Sequence, residues 1–179
     1  MFRVILGLGG NVGDTQRLFA DCLATLATDG WVVAMSRLWR TRAVGPPQAD
    51  FLNAAVVIEW PAGPHDLHAN CQELERAAGR DRSREERWGP RQLDIDLLLA
   101  KDLVCRGPSL ELPHPRLHQR AFALGPAAEV APDWVHPLLG KTIAQLAEDA
   151  QKRDREAILE VSDFDRSILN FEFPHTPTG

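Results

Sequence analysis

The chain has 179 residues, 44% hydrophobic and 25% charged, with a formal net charge of −5. That length suits one domain with a buried core, and the composition is that of a globular protein rather than a disordered or fibrous one. The acidic balance argues against a general polyanion binder, three scattered cysteines without a C-x-x-C pair argue against a disulfide framework or zinc site, and no apolar run reaches membrane-spanning length.

The start, Met1-Phe2-Arg3-Val4-Ile5-Leu6, is too short for a signal-peptide core and runs into glycines. A reducing cytoplasm is the expected setting. Phe2 to Leu8 reads as a buried strand, followed by a glycine loop to Asp14. Asp14 or Thr15 is placed to cap a helix whose apolar residues Leu18, Phe19, Cys22, Leu23 and Leu26 recur at helical spacing, with Asp29-Gly30 as its end. Trp31 to Arg40 reads as a second strand. Thr41 to Asp50, containing Gly45-Pro46-Pro47, reads as a loop, and Phe51 to Trp60 as a third strand.

A helix is expected from about His65 to Ala78, stopped by Gly79. A fourth strand follows from Gln92 to Ala100, and a short one near Val104-Cys105. Leu112 to Leu117 reads as an extended loop, Gln119 to Ala128 as a short helix, and Thr142 to about Leu159 as another. The order β-α-β-β-α-β through residue 100 is the split βαβ, or ferredoxin-like, arrangement. The expected fold is therefore α+β, with a mostly antiparallel sheet, two helices on one face and additional C-terminal helices. Residues 1–161 are expected to form one domain. Residues 162–179 read as a polar, extended or mobile extension without an assignable role.

The stretch richest in chemistry runs from Arg80 to Leu99. Six arginines fall between Arg76 and Arg91, against the chain's acidic balance. A Trp88-Gly89-Pro90-Arg91 turn follows, and then a strand that begins Asp94-Ile95-Asp96. Residues i and i+2 of a strand share a face, so the two carboxylates stand side by side while Ile95, Leu97 and Leu99 point the other way. Neighbouring carboxylates repel unless a cation lies between them. Arginine or Mg²⁺ can play that part, and Mg²⁺ favours a few carboxylates plus substrate phosphate oxygens. The pattern points to phosphoryl-type transfer. The competing readings are a decorated strand edge for the acids and a solvated face for the arginines.

Two motifs mislead. Gly7-x-Gly9 lacks the third glycine of a dinucleotide fingerprint, because residue 12 is Val12. Gly140-Lys141-Thr142 resembles the tail of a P-loop, but Val135 stands where its first glycine belongs.

Further residues join these into one pattern. Gly9-Gly10-Asn11, Arg40-Thr41, Phe51-Leu52-Asn53-Ala54-Ala55, Glu75, Arg87-Trp88-Gly89-Pro90-Arg91-x-Leu93-Asp94-Ile95-Asp96 and Pro113-His114-Pro115-Arg116-x-x-x-Arg120-x-Phe122 occur in that order. The chain closely resembles the 6-hydroxymethyl-7,8-dihydropterin pyrophosphokinases of folate biosynthesis over roughly residues 2 to 135.

The resemblance implies a ferredoxin-like enzyme that moves the terminal diphosphate of ATP onto the pterin hydroxymethyl group and releases AMP. It implies two Mg²⁺ ions on Asp94 and Asp96, and catalytic roles for Arg80 and Arg91. It implies ATP contacts by Gln72, Glu75, Arg82, Trp88, His114 and Arg120. Thr41, Val44, Phe51, Asn53 and Phe122 would form the pterin pocket, with Phe51 and Phe122 sandwiching the ring. ATP and the pterin are then the partners, with no nucleic acid and no membrane, and the chain is expected to act as a monomer. Gly10 departs from the family's usual Ser, and Arg42-Ala43 from its usual pair.

Two other classes compete. A polymerase-β-type nucleotidyltransferase also uses a Gly-Gly and an Asp-x-Asp, but there the acids follow the glycines closely, whereas here Gly10 and Asp94 are far apart. A ferredoxin-like RNA-binding module would need an aromatic platform that these strands lack.

Overall fold

In the computed structural model, residues 1–80, 89–154 and 156–173 are described. β1 (Phe2–Gly10) lies in the interior of the sheet, paired antiparallel with β4 (Phe51–Trp60) on one side and β5 (Asp94–Ala100) on the other. α1 (Thr15–Asp29) starts at Asp14, whose carboxylate accepts the Arg17 N–H at 3.1 Å. It buries Phe19, Cys22, Leu23 and Leu26 of the stripe expected from the sequence, while Leu18 at its edge is only half-buried.

The strand expected over 31–40 is split into β2 (Trp31–Met35) and β3 (Leu38–Thr41), which pair successively along β4. The break lies at Ser36-Arg37. Ser36 donates its N–H to Ala55 O and accepts the Ala55 N–H on its own Oγ, both at 2.9 Å, so a side chain replaces one ladder bond. The Arg37 N–H turns away to Glu129 at 2.8 Å.

α2 (Pro64–Ala77) leads, across the undescribed residues 81–88, into β5. Beyond it lie the small ladders β6 (Cys105–Arg106) with β7 (Glu111–Leu112), and β8 (Val135–His136) with β9 (Lys141–Thr142). Between these ladders, a short 3₁₀ turn at Leu117–Gln119 precedes α3 (Ala121–Val130). α4 (Ile143–Arg153) opens with a capping box between Thr142 and Gln145. The helix expected to continue to Leu159 stops at Arg153, and the chain turns back as β10 (Ile158–Ser162).

The resulting sheet has the order β10-β3-β4-β1-β5, with β2 alongside β4, and every pairing is antiparallel. This is the ferredoxin-like order with an extra edge strand. Val4, Leu6 and Leu8 of β1 pack toward α1 and α2, while Ile5 faces the layer built by α3 and α4. Both sheet faces are thus covered by helices, and the C-terminal helices supply the second layer.

One register detail corrects the alternation expected along β5. Ile5 pairs with Leu99 but Leu6 pairs with Leu97, so Leu98 is a bulged residue. Leu99 therefore joins Leu98 in the α3–α4 core, rather than Ile95 and Leu97 in the α1–α2 core. The carbonyl of Leu98 accepts the His114 N–H at 2.8 Å, which ties the following loop to the bulge.

Residues 163–173 are not free, and the rest of the expected extension, 174–179, lies outside the described residues. Phe164 is buried, and Ile168, Leu169, Phe171 and Phe173 pack against the α1–α2 core.

Candidate active site

A cavity of about 480 Å³ opens where the ends of β1, β4 and β5 meet α2 and α3. Asp94, Ile95, Asp96 and Leu98 of β5 all border it, although Ile95 and Leu97 also belong to the opposite core. The i, i+2 spacing of the acids thus has the consequence read from the sequence. Gly7 and Gly9 of β1 form part of the wall, where the absence of side chains leaves room beside the acids. The neighbouring Gly10 has a steric reason: a Cβ there would come within 2.4 Å of the Gln92 carbonyl oxygen.

Three arginines converge on these carboxylates. Arg80 donates to Asp94 Oδ1 at 2.6 Å, Arg91 donates to Asp94 Oδ2 at 2.7 Å, and Arg120 donates to Asp96 Oδ2 at 2.5 Å. Burial pushes the Asp94 carboxyl up, but the Arg91 and Arg80 charges, with hydrogen bonding from Arg91 and Glu75, outweigh it and hold the group below the usual carboxylate range. Arg80 also pairs with the buried Glu75 at 2.6 Å. Arg42 and Arg116 complete the lining. Five arginines face three carboxylates in a chain whose net charge is −5, so the cavity is locally basic and suits a polyanion.

Arg91 is held by its backbone. Its N–H donates to Asn11 Oδ1 at 2.8 Å, and its carbonyl accepts the N–H groups of Asn11 at 2.8 Å and Val12 at 3.2 Å. Asn11 also donates from Nδ2 to Gln48 Oε1 at 3.0 Å and to Ala49 O at 2.8 Å. One asparagine in the glycine loop therefore joins Arg91 to the loop over residues 42–50. Sequence reasoning placed Asn11 in the pattern without giving it this work.

The other side of the cavity is aromatic and amide-bearing. Phe51 and Asn53 come from β4, Thr41 from β3 and Phe122 from α3, with the exposed Val44 at the rim. Asn53 is buried, and its Nδ2 donates to Thr41 Oγ1 at 2.8 Å and to Trp39 O at 3.4 Å. Its Oδ1 faces Gly9, where an added Cβ would sit 3.3 Å away. The Arg120 guanidinium lies 5.7 Å from the Phe122 ring centre, within cation–π range.

Gln72 and Glu75 line the cavity from α2, and His68, one turn earlier, lines it too. The His68 and Gln72 side chains meet at 3.2 Å. The i, i+4 relation to Gln72 was the sequence signal that could have found His68. His114, in contrast, flanks the cavity without lining it. Burial, Arg120 and Arg116 push its imidazole below the usual histidine range, against an upward pull from Asp96. Arg82 and Trp88 lie outside the described residues.

The donor set fits Mg²⁺ in one particular way. Asp94 and Asp96 offer hard oxygen ligands on one strand face, their side chains 25% and 33% exposed. Among the described residues no group of three or more His, Cys, Asp or Glu could hold a metal alone. Two carboxylates with the remaining positions left to phosphate and water match the habit of Mg²⁺ at nucleotide sites.

The fold and the cavity define a ferredoxin-like domain with a basic, acid-paired site beside an aromatic and amide-bearing wall. Residues 5–132 match the model of the 7,8-dihydro-6-hydroxymethylpterin-pyrophosphokinase (HPPK) family, and the chain belongs to that family. It is 42% identical over 146 residues to the 2-amino-4-hydroxy-6-hydroxymethyldihydropteridine pyrophosphokinase of Synechocystis sp., covering 80% of this chain and 74% of that one. It is 44% identical over 148 residues to the enzyme of the same name from Methylorubrum extorquens, covering 81% and 91%. The fold is shared with Plasmodium falciparum HPPK-DHPS at a TM-score of 0.65 and 14% identity, over 87% of this chain and 42% of that longer one.

Proposed function

We propose that this cavity is where the chain carries out its family's reaction, transfer of diphosphate from ATP to the hydroxymethyl group of 6-hydroxymethyl-7,8-dihydropterin, giving AMP and the pterin diphosphate for folate synthesis. The observation that carries the reading is the convergence of Arg80, Arg91 and Arg120 on Asp94 and Asp96, directly beside the slot formed by Phe51, Asn53 and Phe122. A polyphosphate and a flat amide-edged ring fit one half of the cavity each.

In this reading Asp94 and Asp96 would hold two Mg²⁺ ions together with the ATP phosphates. Bound there, Mg²⁺ supplies positive charge that makes the attacking hydroxyl more acidic and steadies the entering and leaving oxygens. The protein's own contribution is positional and electrostatic. Arg80 and Arg91 exchange their bonds to Asp94 for bonds to phosphate oxygens and neutralise the group in flight. Arg120 and His114 hold phosphates from the β5 side, and Gln72 and Glu75 border the nucleoside from α2. Phe51 and Phe122 stack on the pterin, and the Asn53 amide reads its polar edge while Thr41 fixes the amide's orientation. Arg82 and Trp88 are assigned to the ATP side on the resemblance alone.

We read the chain as acting as a monomer. Residues 1–161 form the catalytic domain in this reading. Its three cysteines are free, which fits a reducing compartment, and we place it in the cytoplasm. No described helix is long and apolar enough to cross a membrane. An RNA-binding role is disfavoured because helices cover both faces of the sheet.

Product analysis tests the reading. ATP, Mg²⁺ and the hydroxymethyl pterin should yield AMP in step with pterin diphosphate. Free pyrophosphate as the co-product would instead indicate nucleotidyl transfer.

A further inference from the structure

The family match ends at residue 132, yet the chain continues into an ordered segment that touches the site's framework. β3 ends at Thr41, and Thr41 pairs with Phe51 across the base of the loop over residues 42–50. Both residues line the cavity. Without another strand on its outer side, β3 would be a four-residue sheet edge with an unpaired row of backbone groups. β10 takes that side.

The pairing reaches into the loop itself. Ile158 stands opposite Thr41, Glu160 opposite Arg40 and Val161 opposite Trp39. The Arg42 N–H donates to Ala157 O at 2.9 Å, so the ladder extends one residue past β3 into the cavity-lining segment. Arg40 bonds Glu160 at 3.0 Å and approaches Asp50, the last residue of the loop, at 3.6 Å. Arg42 faces Glu156 at 4.0 Å.

β10 is in turn anchored. Phe164 is buried two residues after the strand ends. The Asp165 N–H donates to Gln16 Oε1 on α1 at 2.7 Å, and Phe171 and Phe173 pack on the α1–α2 core with ring centres 5.4 Å apart. The exposed ion pairs add little on their own. The backbone ladder and the Phe164 anchor make the connection.

We infer that β10 and its anchor are a clamp that sets the conformation of Thr41 and Arg42, making Glu160 and its neighbours positioning residues for the flat-ring substrate. The inference rests on the pterin side being the one assigned above. Thr41 orients the Asn53 amide at 2.8 Å, so loosening β3 would blur the group that reads the ring while leaving the α2 wall untouched. The selective consequence is a change in pterin recognition without a change in ATP recognition.

Two full-length variants test it, after wild-type turnover has first established the pterin reaction. Consecutive prolines at Glu160 and Val161 remove both possible ladder donors from the middle of β10. The pterin KM should rise roughly tenfold, as when the competent loop population falls to about a tenth. The ATP KM should stay put. Equal rises in both constants, or no rise in either, would overturn the clamp. Phe164→Ala removes the buried anchor just after β10 and leaves the exposed ion pairs in place. Faster hydrogen exchange at the Arg42 amide, read without any substrate, is the expected result; an unchanged rate contradicts the clamp independently of what the cavity binds.

Discussion

Glu75 accepts the backbone N–H of Ile95, the residue between the two aspartates, on Oε1 at 2.8 Å. A carboxylate on α2 thereby fixes the start of β5, and the same oxygen meets Arg80 at 2.6 Å. With its side chain only 3% exposed, Glu75 is a structural hub as well as a cavity residue. Glu75→Ala leaves a buried amide and a mostly buried guanidinium short of a partner. It should lower stability by about 3 kcal/mol. Glu75→Gln keeps an acceptor for Ile95 and should cost less. Chemical denaturation of the two variants checks the ordering; equal stability for Ala and wild type would remove the hub.

Arg91 allows a cleaner separation of structure from chemistry. Its backbone is tied three times to the glycine loop, so Arg91→Ala should not move the chain. Loss of a charge aimed at the transferring group should slow the chemical step by about 10²-fold while pterin affinity changes little. Single-turnover rates and equilibrium binding measure the two separately. An unchanged single-turnover rate would take Arg91 out of the reaction.

Phe122 is 37% exposed and contributes little to the core, so Phe122→Ala should fold normally. It should weaken pterin binding about tenfold, the scale of one lost aromatic stack with its buried area. Calorimetric titration with the pterin reads this directly, and unaltered affinity would remove Phe122 from the slot.

The site's alternation was legible because strand geometry is periodic. Asp94 and Asp96 share a face, and twelve of the thirteen proposed site residues that fall within the described chain line one cavity. Phe51, Asn53 and Phe122 carried no chemical signal of their own and were found only through the family pattern. What escaped the sequence was long-range. The Leu98 bulge reverses Leu99, because register is decided by the partner strand rather than by local propensity. The break at Ser36 depends on a hydroxyl reaching Ala55. The stretch near Leu159 has helix-forming residues, yet it pairs with β3 because that edge was open.

His136 provides a pH test away from the active site. It is buried, its Nδ1 has no hydrogen-bond partner among the described residues, and burial together with nearby His118 holds its imidazole below the usual histidine range. The unfolded state, with a pKa of about 6.5, therefore binds the proton more readily than the folded state. Stability is fully present above that value and declines as pH falls from it toward the folded pKa. His136→Gln should flatten this acid-side slope. Urea midpoints measured from pH 8 down to pH 5 report it, and an identical slope in the variant would exonerate His136.

The central claim is that Asp94 and Asp96 carry diphosphate transfer. The direct measurement is single-turnover release of AMP from ATP, with Mg²⁺ and the hydroxymethyl pterin present, in wild type and in the full-length variant carrying Asp94→Asn and Asp96→Asn. The account predicts a burst of AMP matched by pterin diphosphate in the wild type and nearly none in a variant that stays folded. AMP formation at the wild-type rate in that variant would contradict it.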